Sequence, residues 1–331
     1  MSPNCTLMAE MGHNGLLRFS LSVNLVIATV AIPILVTAGL YLRKQQLFHV
    51  NTRIQIQVHI CALIMHCVGR VALHLPDLIN YFSGFQNGCD ILPNFYRCLY
   101  GRGLYNLGIM TTEMCSIALV IERSVALAYN KNYEYFSSAF GFLLALFQLL
   151  LSFCFLFNLY YYAPFEPSED VVLYYCQTLS SGNGSVWTIN APLYTVLVAQ
   201  VVCRIIFQCL STQNHKLRDA HQFSTLSSRF NLKQGMRSIT TLKIFVNVNT
   251  IVYVFLSVVE TTLHFNVSRF SKADYFAIVE LVHLFPIYGI ILSIYIYRTL
   301  LRLNETLKVS ITKTIQISPE TYFKQFEKQI N

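Results

Sequence analysis

The sequence predicts an all-α, polytopic membrane protein in which seven transmembrane helices form one bundle. Three observations support this fold class. The 331 residues are 54% hydrophobic and only 12% charged, about half the charged share of a soluble domain. Apolar runs of twenty or more residues recur along the chain, and each can cross the roughly 30 Å hydrocarbon core of a bilayer. The segments that join these runs are short, which leaves no room for a separate soluble domain.

Seven apolar stretches are predicted as membrane spans. They cover residues 19–42, 54–80, 99–122, 138–161, 188–210, 241–264 and 274–298. The first stretch has no charged residue and no basic region before it, so we interpret it as an uncleaved signal-anchor. The chain is thereby divided into an N-terminal segment, the helix bundle and a C-terminal tail, with bounds 1–18, 19–298 and 299–331.

The tail has a helical pattern of its own directly after the last span. Apolar residues recur at three- and four-residue spacing beside basic ones, at Leu300, Leu303, Leu307 and Ile311. This pattern predicts a short amphipathic cytoplasmic helix that lies on the inner leaflet of the membrane. The alternative is a frayed polar tail.

The distribution of Lys and Arg predicts the orientation of the bundle. With the N-terminus outside the cell, 17 of the 24 basic residues fall in cytoplasmic segments and five in outer segments, as the positive-inside rule requires. The glycosylation sequons that begin at Asn4 and Asn183 then lie outside, where glycans are added. We therefore expect an extracellular N-terminus, a cytoplasmic C-terminus, and glycans on both asparagines.

The third span carries distinct features at its two ends. Cys98 begins it on the outer side, and Glu122 and Arg123 end it 24 positions later, a rise of roughly 36 Å in a helix. This arrangement resembles the third helix of a G-protein-coupled receptor. An acid beside an arginine can hold the guanidinium until helices separate, and the arginine then serves a cytoplasmic partner. The alternative is a simple boundary pair whose arginine extends to the membrane surface and buries little.

Four of the ten cysteines lie in outer segments, where oxidation is favoured. A Cys98–Cys176 disulfide would attach the second outer loop to the third helix. Cys5 and Cys89 remain, as either a second disulfide or two unpaired thiols. The other six cysteines lie in spans and are interpreted as packing residues.

Ionisable residues within the spans are expected to face the bundle interior. In the second span they share one helical face, at His59, His66, Arg70, His74 and Asp77. Arg70 is predicted to pair with Glu280 of the seventh span, with Glu113 of the third span as the other candidate. The stripe fixes helix packing in one interpretation and lines a ligand pocket in the other. A zinc site is disfavoured because no metal motif accompanies the histidines, and we expect no metal or cofactor.

Three short motifs at fixed places relative to the spans carry a family resemblance. They are FHVN at 48–51, IERSVA at 121–126 and LSSRFNL at 226–232. The chain resembles nematode serpentine chemoreceptors of the Sra superfamily, classes alpha and alpha-beta. This resemblance implies a plasma-membrane receptor in sensory neurons that binds a small-molecule cue and activates a heterotrimeric G protein. Pro286 is expected to kink the seventh helix, but Ser124 and the proline-free sixth span depart from rhodopsin-like receptors.

Other classes of function fit the sequence less well. The alternative is a seven-span ligand-gated channel or a transporter, but the seven unequal spans show no internal repeat of the transporter kind. An intramembrane enzyme would need paired catalytic acids or a metal motif, and neither is seen, so we expect no enzymatic activity. The chain also lacks basic clusters interleaved with aromatics, which excludes nucleic acid as a partner.

Overall fold

The described part of the chain is helical almost throughout. The computed structural model describes residues 3–44, 48–129, 133–162, 176, 186–220, 226–283 and 285–316. Within these ranges the α-helices are α1 (Pro3–His13), α2 (Gly15–Lys44), α3 (Val50–Phe82), α4 (Phe95–Ala128), α5 (Ser138–Tyr162), α6 (Val186–Ala220), α7 (Leu226–Phe265), α8 (Lys272–Val282) and α9 (Phe285–Gln316). Short 3-10 turns occupy Gly88–Ile91, Tyr133–Tyr135 and Val267–Arg269.

Seven helical segments of this structure are long and apolar enough to cross a membrane. Helices α2 to α7 provide six of them, and α8 with α9 provides the seventh, Lys272–Arg302. The predicted all-α, seven-span bundle is thus confirmed. Apolar side chains such as Phe142, Leu146 and Phe153 remain exposed on α5. A water-soluble helix would bury such a surface, whereas lipid can cover it.

The largest apolar core lies between α2, α3, α4, α6, α7 and α9, and includes Leu35, Leu63, Leu119, Val246 and Leu292. Helices α3 and α4 approach each other closely along small residues. A Cβ atom added to Gly69 would lie 2.6 Å from the backbone nitrogen of Tyr105, and one added to Gly108 would lie 2.6 Å from backbone atoms of Ala62 and His66. Glycine therefore permits the close approach that brings polar side chains of α3 and α4 together.

The N-terminal segment contains a helix that we did not predict. Helix α1 packs against the 3-10 turn Gly88–Ile91, and a disulfide joins Cys5 to Cys89. Met8 and Met11 of α1 are buried in a second apolar core together with residues of α2, α3 and α8. The weak amphipathic pattern of α1 explains the omission, because tertiary packing stabilises this helix more than its own sequence does. We call this end of the bundle, with both disulfides, the disulfide end.

The seventh span is interrupted near its middle. Helix α8 ends at Val282, and the backbone N–H of the following residue, His283, donates to the carbonyl of Val279 at 3.2 Å. Pro286 is the second residue of α9, where its missing N–H and fixed φ angle suit the first turn of a new helix. The seventh span is therefore broken into two helices just before Pro286, where a kink was expected. Helix α9 then continues through residues 300–311 to Gln316, so the predicted amphipathic segment is helical as part of α9 rather than as a separate helix.

Candidate functional site

The polar stripe of α3 faces the bundle interior, as predicted. Its five members are all buried: His59, His66, Arg70, His74 and Asp77. Their neighbours lie on α2, α4, α7, α8 and α9. The stripe meets its partners near the disulfide end in a group of four charged or ionisable side chains. We call this group the basic cluster, and it consists of Arg70, His74, Arg102 and Glu280.

Three basic side chains surround one carboxylate in the basic cluster. Arg70 Nη2 lies 3.5 Å from Oε2 of Glu280, and Nε2 of His74 lies 3.4 Å from the same oxygen. Arg102 Nη2 lies 3.5 Å from Oε1. The predicted pair of Arg70 and Glu280 is present, with Arg102 as a third partner that we did not predict.

Neutral groups complete the surroundings of Arg70. Its Nη1 donates to Oδ1 of Asn24 at 2.5 Å, and its Nη2 donates to the hydroxyl of Tyr105 at 3.2 Å. Asn24 in turn donates to the backbone carbonyl of Glu280 at 2.6 Å, which fixes α2 against α8. The guanidinium carbons of Arg70 and Arg102 lie 5.4 and 4.8 Å from the centre of the Tyr105 ring. Two cations on one aromatic ring form favourable but weak contacts.

A disulfide connects the basic cluster to the second loop of the disulfide end. Cys98 is bonded to Cys176, and Nε of Arg102 donates to the backbone carbonyl of Cys176 at 2.7 Å. Arg102 is one of the five basic residues that the count above assigns to outer segments, but it lies within α4 and is only 7% exposed. The cluster therefore lies beside Cys176, which the disulfide holds against α4.

Two residues of the predicted pocket lie apart from the cluster. The ring of His66 packs on Tyr105 with centroids 4.3 Å apart, and its Nδ1 is 3.3 Å from the Tyr105 carbonyl. Glu113 lies about two helical turns beyond Tyr105 along α4. It is near Tyr253 and Glu260 of α7, not Arg70. Among the described residues its two carboxylate oxygens have no hydrogen-bond partner.

The opposite end of the bundle contains the pair Glu122 and Arg123. Arg123 donates from Nε and Nη2 to the two carboxylate oxygens of Glu122. Its Nη2 also donates to Oγ1 of Thr52 on α3 at 2.7 Å, and its Nη1 donates to Oγ of Ser238 on α7 at 3.1 Å. Arg123 thus links α4 to α3 and α7. We call this group the arginine lock, and it consists of Thr52, Glu122, Arg123, Tyr133 and Ser238.

Tyr133 covers the arginine lock from the turn that follows α4. Its hydroxyl donates to Oε1 of Glu122, an oxygen that also accepts from Thr52 at 2.9 Å. Burial and the adjacent Glu122 carboxylate raise the pKa of Tyr133 above its usual value. The hydroxyl therefore stays protonated and continues to donate at neutral pH.

The boundary interpretation of Arg123 is wrong, because its side chain does not extend to the surface. Arg123 is 4% exposed and Glu122 is fully buried. A buried charge is stable only when it is paired and hydrogen-bonded, and each described contact of the arginine lock serves that purpose. Our expectation that Arg123 buries little is corrected accordingly.

The sequence analysis did not predict several residues in and around the two clusters, although for some of them the sequence contains a recognisable pattern. Asn24 and Ser20 are polar residues one turn apart in an uncharged, mostly apolar span, and both bond to the backbone of α8. Arg102 precedes Tyr105 by three positions, which places both on one face of α4. Ser238 gave no signal, because its role depends on how α7 packs beside α4.

The predicted glycosylation sites lie largely outside the described residues. Asn183 is in the range 177–185, which the structure does not describe. Asn4 belongs to helix α1, but its side chain is also outside the described part. Both sites therefore stay predictions.

The described helices include seven that can span a membrane. The third of these has a disulfide at one end and an acid–arginine pair at the other. Together these features define a receptor of the G-protein-coupled type. Comparison with known proteins identifies the family. The chain matches the serpentine type 7TM GPCR receptor class ab chemoreceptor family over residues 2–331, and it belongs to that family.

A curated relative gives independent support. Serpentine receptor class alpha-39 of Caenorhabditis elegans is 26% identical over 199 residues, which are 58% of this chain and 52% of the relative. The match thus spans about half the length of that relative. The predicted resemblance to nematode serpentine receptors is confirmed, while the two comparisons differ in class label, ab and alpha.

Proposed function

We propose that this receptor binds a small-molecule cue near the disulfide end and activates a heterotrimeric G protein at the end that holds the arginine lock. Membership of a chemoreceptor family supports this function in general terms. The observation that carries the proposal is the arginine lock itself. A buried arginine held by two neighbouring helices is a two-state element, because separation of those helices removes part of its hydrogen bonding.

The contact with α7 is the part of the lock that can open. Glu122 is the immediate neighbour of Arg123 on α4, and Thr52 belongs to α3, which packs closely on α4. Ser238 contributes a single hydrogen bond across to α7. An apolar cleft between α3, α7 and α9 begins one turn beyond Ser238 and is lined by Phe48, Ile56, Leu242, Phe245, Tyr295 and Ile296. Movement of α7 would release one Arg123 donor and widen this cleft for a G-protein segment.

Orientation and location are parts of the same proposal. Both disulfides lie at the end that the basic-residue count assigns to the outside, and disulfides persist in an oxidising environment. We therefore propose that the N-terminus lies outside and the C-terminus in the cytoplasm. The family resemblance supports, as part of the same proposal, a location in the plasma membrane of sensory neurons. A small-molecule ligand, a G protein and the lipid bilayer are its partners.

The test is ligand-independent activation of G protein by purified receptor variants. Ser238→Ala removes the contact with α7, and Glu122→Gln weakens the hold on Arg123. Each should raise the basal rate of nucleotide exchange several-fold over the wild-type rate. Thr262→Ala is the matched control, because Thr262 is an exposed residue of α7 that bonds within its own helix.

A substitution of Arg123 itself should have the opposite effect on nucleotide exchange. Arg123→Lys keeps the charge but lacks the planar fork of donors that a released Arg123 would offer to the G protein, so exchange should fall toward the receptor-free rate. If Ser238→Ala and Glu122→Gln leave basal exchange unchanged in correctly folded receptor, the lock does not control coupling.

A further inference from the structure

A further polar group lies between α4 and α7, apart from the basic cluster and the arginine lock. Nδ2 of Asn249 on α7 donates to Oγ of Ser116 on α4 at 3.1 Å. The two helices run in opposite directions, because α4 leads from the disulfide end to the arginine lock and α7 leads back from Ser238. One turn nearer the disulfide end, Glu113 of α4 therefore lies opposite Tyr253 of α7.

Three buried side chains meet here with their hydrogen-bonding capacity unused. Glu113, Tyr253 and Ser257 are 1%, 4% and 2% exposed, and the Tyr253 hydroxyl lies close to both of the others. Within the described part of the chain, however, neither the two carboxylate oxygens of Glu113 nor the hydroxyls of Tyr253 and Ser257 make a hydrogen bond of normal geometry. Buried polar groups are normally satisfied, so three such side chains side by side indicate a bound group.

The charge around Glu113 is negative rather than balanced. Among the described residues its charged neighbour is a second acid, Glu260, two turns beyond Tyr253 on α7. Oε1 of Glu260 lies 2.5 Å from Nε2 of His283, so that base already has an acid of its own. A carboxylate inside a membrane bundle needs a positive charge or a proton, and no basic side chain is described beside Glu113.

We propose that Glu113, Tyr253 and Ser257 bind a small monovalent cation, with the chemistry of a sodium ion or a protonated amine. The carboxylate supplies the charge, and the two hydroxyl oxygens supply lone pairs that accept ammonium N–H groups or coordinate a hard metal ion. A single carboxylate suits a charge of one, and the described residues contain no group of three His, Cys, Asp or Glu side chains that could hold a metal ion. The inference rests on the function proposed above in one respect only, namely that an amine bound here would be the cationic group of the stimulus.

Cation binding can be measured without any G protein. The purified receptor is heated in nanodiscs with a thiol-reactive dye, since Cys67, Cys115 and Cys203 are buried and react only on unfolding. Sodium, methylammonium and butylammonium chloride each replace choline chloride at a constant total of about 0.15 M, so that the ionic strength stays fixed. Choline is a bulky quaternary cation without an N–H donor. The melting temperature should rise above its value in choline with at least one of the three cations and reach a plateau.

Variants separate a specific site from a general effect of the cations. Glu113→Gln should raise the apparent Kd at least about tenfold, because it removes the charge that holds the cation, whereas Glu113→Asp should keep the cation dependence. Tyr253→Phe removes one hydroxyl ligand and should raise the apparent Kd several-fold, and it decides the question if Glu113→Gln gives no folded receptor. Glu10→Gln is the matched control, because Glu10 is an exposed carboxylate on α1.

Two results would overturn the proposal. One is a wild-type melting temperature that is the same in choline as in the three test cations, because the Glu113 carboxyl would then carry a proton instead. The other is a cation response that Glu113→Gln leaves unchanged while Glu260→Gln abolishes it, because the cation would then be bound by the acid nearer the disulfide end.

Nucleotide exchange in the presence of G protein then identifies the source of the cation. An alkylammonium ion that binds and changes the exchange rate is of the stimulus type, whereas a response confined to sodium identifies a resident ion. Either result supports the cation site. Because binding is read in the absence of G protein, a failure of the arginine lock to control coupling would leave this inference intact.

Discussion

Two buried glutamates of similar exposure have very different surroundings. Glu280 is 1% exposed and lies among Arg70, His74 and Arg102. Glu113 is also 1% exposed, but its carboxylate lies beside Tyr253 and has no hydrogen-bond partner among the described residues. The first carboxylate has three basic side chains around it, whereas no basic side chain is described beside the second.

This contrast predicts opposite outcomes for the same substitution. Glu280→Gln strands buried arginines and should cost about 3 kcal/mol or more of stability. Glu113→Gln breaks no described ion pair or hydrogen bond and should change stability by less than about 1 kcal/mol. Thermal unfolding of the two purified variants, in sodium-free choline buffer, measures the difference. A larger loss for Glu113→Gln would show that this carboxylate has a charged partner.

The sequence pattern predicted some of these side-chain contacts but not others. The spacing of His66, Arg70 and His74 placed them on one face of α3, and Glu280 was the first of the two predicted partners of Arg70. The burial of Arg123 could not be predicted, because it depends on Thr52, Tyr133 and Ser238, which belong to three separate elements. Pattern analysis detects the face of a helix, but it does not detect which neighbour covers that face.

At the scale of elements, the close approach of α3 and α4 positions the basic cluster. Because Gly69 and Gly108 have no side chain, the backbones of α3 and α4 lie close together at these residues. This proximity brings Arg102 and Tyr105 of α4 toward Arg70 of α3. In a membrane, where apolar surface alone does not drive helices together, such small-residue contacts provide much of the packing energy.

The glycine contact can be tested with two substitutions on α4. Gly108→Ala would place a methyl group 2.6 Å from backbone atoms of α3 that cannot move aside, so it should cost more than about 1 kcal/mol of stability. Gly103→Ala meets no atom within 4 Å and should stabilise the helix slightly. Surface expression and thermal unfolding of both variants would measure the effect. Equal behaviour of the two would show that α3 and α4 lie farther apart.

The elements themselves were predictable to different degrees. Long apolar runs identified all seven spans, because composition and length are sufficient signals for a membrane helix. Pro286 identified the interruption between α8 and α9. Helix α1 was missed, because its stability comes from Met8 and Met11 packing on other helices and from the Cys5–Cys89 disulfide.

For the whole molecule, the Cys98–Cys176 disulfide joins a long loop to the helix that connects both clusters. Arg102, one turn after Cys98, bonds to the carbonyl of Cys176, so the disulfide and the basic cluster support each other. Removal of a native disulfide typically costs about 2–5 kcal/mol. Cys98→Ser and Cys176→Ser should therefore each impair surface delivery, and the double variant should be little worse than either. Additive losses in surface staining would contradict a shared bond.

The orientation of the whole bundle is the last prediction. The 17-to-5 distribution of basic residues and the placement of both disulfides at one end agree on an external N-terminus. An epitope tag before Met1 should stain intact cells, and one after Asn331 should stain only permeabilised cells. Glycosidase should lower the apparent mass unless Asn4 and Asn183 are both replaced by Gln, since only luminal sequons receive glycans. A C-terminal tag that stains intact cells would place the arginine lock outside the cell, out of reach of any G protein.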